Sequence, residues 1–497
     1  MRTKTLPVAA LCAATVLAVL GTAGGFPAGA AVPGAGGDAD FNGDGYADAA
    51  VGVFDGTVNG LRSAGYVHVL FGGPDGLGSG GTLKLSQNSA GVPGTSEKND
   101  RFGLAVATAD LDGDGLSDLA VGAPGETVGD GSAGARQGSV TALYGSPGGF
   151  VRGKTVAQGG RGSAGTGASL AVGDFTRDGR TDLAIGQSNG ESGKVALRPG
   201  PLSEDKPLLP VLDNGYGGTA GQLATGDFDG DGADELAVSA YGLESSGTRL
   251  LRWNAAGATL DTYWSSSAAG YSLAAGDFDG DRVDDLAIGQ CRVIGHESSG
   301  DCGPAGPAKG GNVHVEYGGE GGGRPFGHRS QTFGQDTTGV PGTAEDRDNF
   351  GVELKAGRFN GDALDDLVIG APDEAIGTRT QAGSVTVLIA GSGGLLDERG
   401  SARGTAVHQN TANVPGTAEA NDLFGAAFTI GDYDKDGFRD LAVGSYGENG
   451  ATSGGSGGVW YLRGNGTAAP TWAGSAALTP PKLRLTGAVG YGRVLGL

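Results

Sequence analysis

Basic charge is scarce in this chain: 34 Lys and Arg face 56 Asp and Glu, a formal net charge of −22. A surface of that sign repels phosphate backbones, so nucleic acid is excluded as a partner. No stretch carries the apolar spacing of a long amphipathic helix, which leaves strands and turns to build the fold. Glycine contributes 103 of 497 residues without a Gly-X-Y period, so the chain is not collagen and its glycines serve tight turns. Long apolar runs are missing too, apart from Leu6 to Leu20. That run follows Arg2 and Lys4 and precedes the small residues Ala28, Ala30 and Ala31, the layout of a secretory signal peptide over residues 1–31. It is shorter than the roughly 20 residues a membrane span needs, and no later segment qualifies. The mature part, residues 32–497, is therefore expected to be secreted and extracellular, without a membrane span.

Cysteine is nearly absent. Cys12 leaves with the leader, and Cys291 and Cys302, close together in a glycine-rich insertion, are expected to pair as a disulfide in an exported protein. The histidines at 68, 296, 314, 328 and 408 show no metal-ligand spacing, and the V-H-V settings of His68 and His314 predict surface strand positions. Gly454 to Gly458 spells a nucleophile elbow but lacks its strand-to-helix context. No catalytic residue is assigned.

What the chain has in quantity is one acidic turn, repeated seven times from Asp40, Asp110, Asp174, Asp227, Asp277, Arg358 and Asp432. The copies DLDGDGLSDLAVGAP and DYDKDGFRDLAVG carry carboxylates at positions one, three, five and nine, with glycine at six. Alternate side chains of a tight turn converge while the glycine permits the bend, which suits a hard cation seeking six to eight oxygens. Calcium is the first candidate. An EF-hand would need a bidentate Glu at position twelve, where Val51, Val121, Ile288 and Val443 stand instead. The LAVG, LAIG, LAVS and LVIG runs that follow are short, apolar and branched, so each turn joins two strands rather than two helices.

These residues resemble the FG-GAP repeat family, best known from the β-propeller heads of integrin alpha subunits. Phe102-Gly103 and Gly122-Ala123-Pro124 bracket the second turn, Phe350-Gly351 and Gly370-Ala371-Pro372 the sixth, and Phe424-Gly425 precedes the seventh; the middle repeats keep only the turn and its strands. The resemblance implies an all-β, seven-bladed β-propeller in which each turn joins the first two strands of a four-stranded blade. The first turn has no Phe-Gly strand before it, but Tyr491-Gly492-Arg493-Val494-Leu495 resembles the missing piece. The C-terminal strand is thus expected to complete the first blade and close the ring.

Carried across position by position, the family pattern implies about six Ca2+ sites. Their ligands would be Asp40, Asn42, Asp44 and Asp48; Asp110, Asp112, Asp114 and Asp118; Asp174, Thr176, Asp178 and Asp182, the third site weakened by its threonine. The remaining sets are Asp227, Asp229, Asp231 and Glu235; Asp277, Asp279, Asp281 and Asp285, where Arg282 replaces the usual glycine; and Asp432, Asp434, Asp436 and Asp440. The sixth turn, with Arg358 and Ala363 at positions one and six, keeps Asn360, Asp362 and Asp366 and is expected to bind no ion, its guanidinium pairing with Asp362 and Asp366.

A second acidic pattern, V-P-G-T-[AS]-E-x-x-D-x-F-G, recurs from Val92, Val340 and Val414, aligning Glu97, Glu345 and Glu419 with Asp100, Asp348 and Asp422. Glu126, Glu374 and Glu448 follow the second strand of the same blades. All nine are expected on the face away from the cation turns, as a partner-binding patch or as loop caps. The expected role is a monomeric, secreted, calcium-stabilised module that binds an extracellular protein or glycan. The alternative is a polysaccharide-degrading lyase or hydrolase on a propeller scaffold.

Overall fold

The computed structural model describes residues 38–496 apart from 130–135, 161–164, 189–192, 214–217, 243–245, 269, 291–308, 320–324, 327–328 and 449–455. The expected signal peptide, the Cys291 and Cys302 pair, His296, His328 and the first two residues of the 454–458 motif lie outside the described residues.

The short apolar runs after the acidic turns are strands, as their length and branching predict. They include Ala49–Val53, Asp118–Ala123, Asp285–Gln290, Asp366–Ala371 and Asp440–Ser445, each buried along its whole length. A strand buried on both faces reads as continuous hydrophobicity rather than alternation, which explains the LAVG pattern. Each lies second in a four-stranded antiparallel sheet, and there are seven such sheets. The fourth strands are less buried, with three of five residues exposed in Gly81–Leu85.

The first strands form the inner ring: Val494–Gly496, Ala105–Ala109, Ser169–Gly173, Gly218–Gly226, Ser272–Gly276, Glu353–Gly357 and Phe424–Gly431. Each touches the next, and Phe424–Gly431 returns to Val494–Gly496. The described chain is therefore an all-β, seven-bladed propeller. Along the axis Val106, Leu170, Leu223, Leu273 and Leu495, with Lys355, line a cavity of about 170 Å³.

Closure by the C-terminal strand is as expected. Val494–Gly496 pairs with Ala49–Val53 through Ala50 with Gly496, Val51 with Leu495 and Gly52 with Val494. Tyr491 is fully buried, and its hydroxyl shares a 2.8 Å hydrogen bond with His68 Nδ1. His68 is thus not at the surface as its V-H-V setting suggested: it is 1% exposed, because the closing segment covers it. Burial, then the Lys84 charge, lowers its pKa to about 4, so the ring is neutral. Neighbouring blades meet on glycine. A Cβ on Gly52 would lie 2.1 Å from the Gly103 carbonyl oxygen, and one on Gly444 1.8 Å from that of Gly492. The closing contact repeats the contact between the first two blades.

Between blades lie apolar clusters, and the acidic turns are anchored into them by their second residue. Phe41, Leu111, Phe175, Phe228, Phe278, Phe359 and Tyr433 are all fully buried. A turn rich in exposed charge is thereby fixed to the core at one point.

Candidate metal centres

In six turns position one is Asp, and its carboxylate gathers the turn's own N–H groups. Asp110 Oδ1 accepts from Gly113 at 2.7 Å and from Asp114 at 3.2 Å, and its Oδ2 accepts from Gly115 at 2.9 Å. Asp40, Asp174, Asp227, Asp277 and Asp432 accept from the residue at position six in the same way. Position six sits in the left-handed region, with φ of +91° at Gly115 and +88° at Gly437. Arg282 adopts φ 74° there, at a cost of about 1–2 kcal/mol for a side-chain-bearing residue.

Position nine does a further job. Asp118 Oδ2 accepts from Leu111 N at 2.9 Å while Oδ1 accepts from Gly145 N at 2.7 Å, tying the turn to the end of the third strand. Asp48, Asp285, Asp366 and Asp440 clamp equivalent amides. Asp182 reaches Thr176 N and Gly200 N, and Glu235 reaches Phe228 N. These carboxylates are fully buried. Burial first, with added repulsion from neighbouring acids, raises Asp118 to about 7, Asp285 and Asp440 to about 8 and Glu235 to about 9, against the pull of the donated N–H bonds.

Positions one, three and nine converge. Oxygen atoms of Asp110, Asp112 and Asp118 all lie within 4.8 Å of one another, as do those of Asp227, Asp229 and Glu235, of Asp277, Asp279 and Asp285, and of Asp432, Asp434 and Asp440. Asp112 Oδ1, Asp229 Oδ1, Glu235 Oε1 and Thr176 Oγ1 are buried without a partner. Unpaired buried oxygens inside a group of carboxylates are what a divalent cation would satisfy, so the residues present fit a hard metal ion.

The sixth turn departs in its contacts. Arg358 Nε lies 3.7 Å from Asp365 Oδ1, not beside Asp362 and Asp366 as expected. The reason is position eight, whose side chain lies across the junction with the preceding blade: Asp365 Oδ2 accepts from Asp277 N at 3.1 Å, and Asp284 does the same for Asp227 N at 3.0 Å. Asp234, Asp284, Asp365, Arg358 and Arg439 together line a polar cavity of about 270 Å³.

The nine acids of the second pattern fall into three roles. Asp100, Asp348 and Asp422 are buried and accept the N–H of Glu97, Glu345 and Glu419, the loop-cap reading. Glu126, Glu374 and Glu448 take an amide hydrogen bond from Gln87, Gln335 and Gln409, each just past the fourth strand of the preceding blade, so each pair latches two blades together. Glu97, Glu345 and Glu419 are exposed. Burial foremost raises Glu126 to about 7. Between about pH 4.5 and 7 the folded chain keeps a proton the unfolded chain has lost, so this contribution is full below that window and is lost as pH rises through it. Relative to the parent, Glu126→Gln is expected to gain on the order of 1 kcal/mol between pH 5 and pH 8, allowing for solvent screening of a half-buried group. Urea unfolding at the two pH values checks it; parallel behaviour of parent and variant would contradict it.

A ring of seven four-stranded blades, each with an acidic turn between its first two strands, defines an acidic-turn β-propeller. The chain carries FG-GAP repeats: the family model for the FG-GAP repeat matches residues 102–141, 166–197, 269–290, 354–388 and 424–462. Two of those segments lie in the third and fifth blades, where the sequence offers no Phe-Gly pair. Curated relatives include phosphatidylinositol-glycan-specific phospholipase D of Mus musculus, 39% identical over 108 residues that make up 22% of this chain and 12% of that protein. The Rattus norvegicus protein of the same name is 34% identical over 158 residues, 28% of this chain and 18% of its own length. The chain thus matches less than a fifth of these relatives. Among solved structures, the exotype rhamnogalacturonan lyase YesX is 16% identical with a TM-score of 0.37, covering 83% of this chain and 73% of that one. That likeness is too loose to bear on activity.

Proposed function

We propose that this chain is an extracellular propeller whose acidic turns bind calcium as a structural ion, and whose other face serves as a non-catalytic binding surface for a protein or glycan. The observation that carries the calcium reading is the set of four three-carboxylate groups, two of which, those of Asp112 and of Asp229 with Glu235, hold buried, unpaired oxygens. An all-oxygen donor set of carboxylates selects Ca2+ over softer metals. Asp40 with Asp44 and Asp48, and Asp174 with Asp178 and Asp182, would complete six sites. The ion would neutralise carboxylates that burial otherwise drives toward protonation and would hold the first two strands of a blade at one end.

The exposed carboxylates of Glu97, Glu345 and Glu419, presented by three loops capped by buried aspartates, support the binding reading. Calorimetric titration of calcium into the demetallated protein is expected to give six sites, and seven equivalent sites would contradict the assignment of the sixth turn. Charge reversal at Glu345 and Glu419 is expected to abolish retention on a protein or glycan array while leaving melting unchanged. Turnover of a polysaccharide panel would overturn the non-catalytic reading.

A further inference from the structure

Position three is Asp in four turns and uncharged in the other three, and a single kind of partner follows that division. Arg152 Nη2 donates to Asp112 Oδ2 at 2.8 Å, Arg252 Nη1 to Asp229 Oδ2 at 2.8 Å and Arg329 Nη2 to Asp279 Oδ2 at 2.6 Å. Arg463 Nε lies 2.5 Å from Asp434 Oδ2, with Nη2 2.9 Å from Asp436 Oδ2. Where position three is Asn42, Thr176 or Asn360, no such arginine pair is found among the described residues. In the sixth blade Arg403, placed just before the fourth strand as Arg329 is in the fifth, gives its guanidinium to the Ala390 carbonyl instead.

Three of the four guanidiniums are held from behind by a tyrosine ring. Arg152 lies over the Tyr144 ring at 4.3 Å, Arg252 over Tyr263 at 4.9 Å and Arg329 over Tyr317 at 3.6 Å. In the seventh blade the Tyr461 hydroxyl donates to Asp434 Oδ2 at 3.2 Å. The aspartates are sheltered, with side chains of Asp112 and Asp434 only 7% and 3% exposed, so these pairs are not loose surface ion pairs. The grip is one-sided: Oδ2 is taken, while Oδ1 of Asp112 and of Asp229 is buried and unpaired.

We propose that Arg152, Arg252, Arg329 and Arg463 are built-in countercharges of the divalent-cation turns. Each holds the outer oxygen of the position-three aspartate, leaves the inner oxygen for the ion, and offsets the fourth carboxylate so that the turn keeps its shape before an ion arrives. A like-charged group of four carboxylates repels itself, and a fixed positive charge at one of them relieves this without entering the ligand shell. The turns of the first and third blades, with three carboxylates each, need no such relief. The inference rests on the calcium reading.

The test is Arg152→Met, which keeps the aliphatic body over Tyr144 and removes the charge, with Arg152→Lys as control and Arg252→Met as a second site. Melting is followed in chelator and in saturating calcium, alongside calcium titration. Arg152→Met is expected to lower the melting temperature in chelator more than in calcium and to tighten the second-blade site roughly threefold to tenfold through the lost repulsion between cation and guanidinium. Arg152→Lys is expected to restore most of the parent behaviour. Equal destabilisation with and without calcium, or weakened calcium binding, would overturn the proposal by making the arginine a packing group or a required part of the ion's shell. If the parent itself shows no calcium-dependent shift, the calcium reading fails instead, so the two failures are distinguishable.

Discussion

A chain ending at Ala488 is expected to lose its cooperative thermal transition and to be digested by protease under conditions where the full chain resists. The segment removed contains Tyr491, fully buried against the core of the first and seventh blades together with Tyr66, Val459 and Tyr461. Loss of one such aromatic costs about 3–5 kcal/mol. Removal also strips Ala49–Val53 of its pairing with Val494–Gly496 and takes out one of the seven inner strands. An open sheet edge then faces the axis, where it invites pairing with another chain. The point variant Tyr491→Ala separates the two effects, because it keeps the strand while deleting the ring: its loss is expected to be about 3–5 kcal/mol with cooperativity intact. Calorimetry and limited proteolysis of both variants check this, and an unchanged melt of the truncated chain would refute the closure role.

Exhaustive chelation is expected to produce the second-largest loss. Extracellular calcium modules have dissociation constants of about 0.1–1 mM, so at roughly millimolar calcium each site adds about 0.4–1.4 kcal/mol, and six add about 2–8 kcal/mol. That is a large part of the stability of an ordinary domain. The melting temperature should fall on adding chelator and recover with calcium. Magnesium should restore less, since it demands stricter octahedral geometry than a set of mixed turn oxygens provides. Melting and protease resistance that are the same in chelator and in calcium would sink the structural-ion reading.

Much of this architecture is legible because its code is local. The ligands of one turn lie within nine residues, and the strand that follows is continuous hydrophobicity, so seven turns predict seven blades. The closing segment is legible for the same reason: Tyr491-Gly492 copies the start of a blade. What escapes is whatever depends on a partner from another strand at no fixed distance. Arg152, Arg252, Arg329 and Arg463 sit in or beside later strands at differing separations from their aspartates, because loop lengths differ between blades. His68 looks like a surface residue since its cover comes from the far end of the sequence. In one dimension Arg358 reads as a partner of Asp362 and Asp366, because the position-eight carboxylate of its turn, Asp365, does not look like a ligand. The Gln–Glu latches are the instructive case: Gln87 and Glu126, Gln335 and Glu374, and Gln409 and Glu448 are each 39 residues apart. That constant interval is visible in the sequence once a partner for the glutamates is sought.

The pairing of Ala50 with Gly496 has a consequence for how the molecule comes into being. On the ribosome, six sheets have all their strands before Val494–Gly496 emerges, while the opening one waits three-quarters built for that strand. Joining chain segments so far apart makes it a late and slow step of assembly. Until it happens the wheel can still be unspooled from either end.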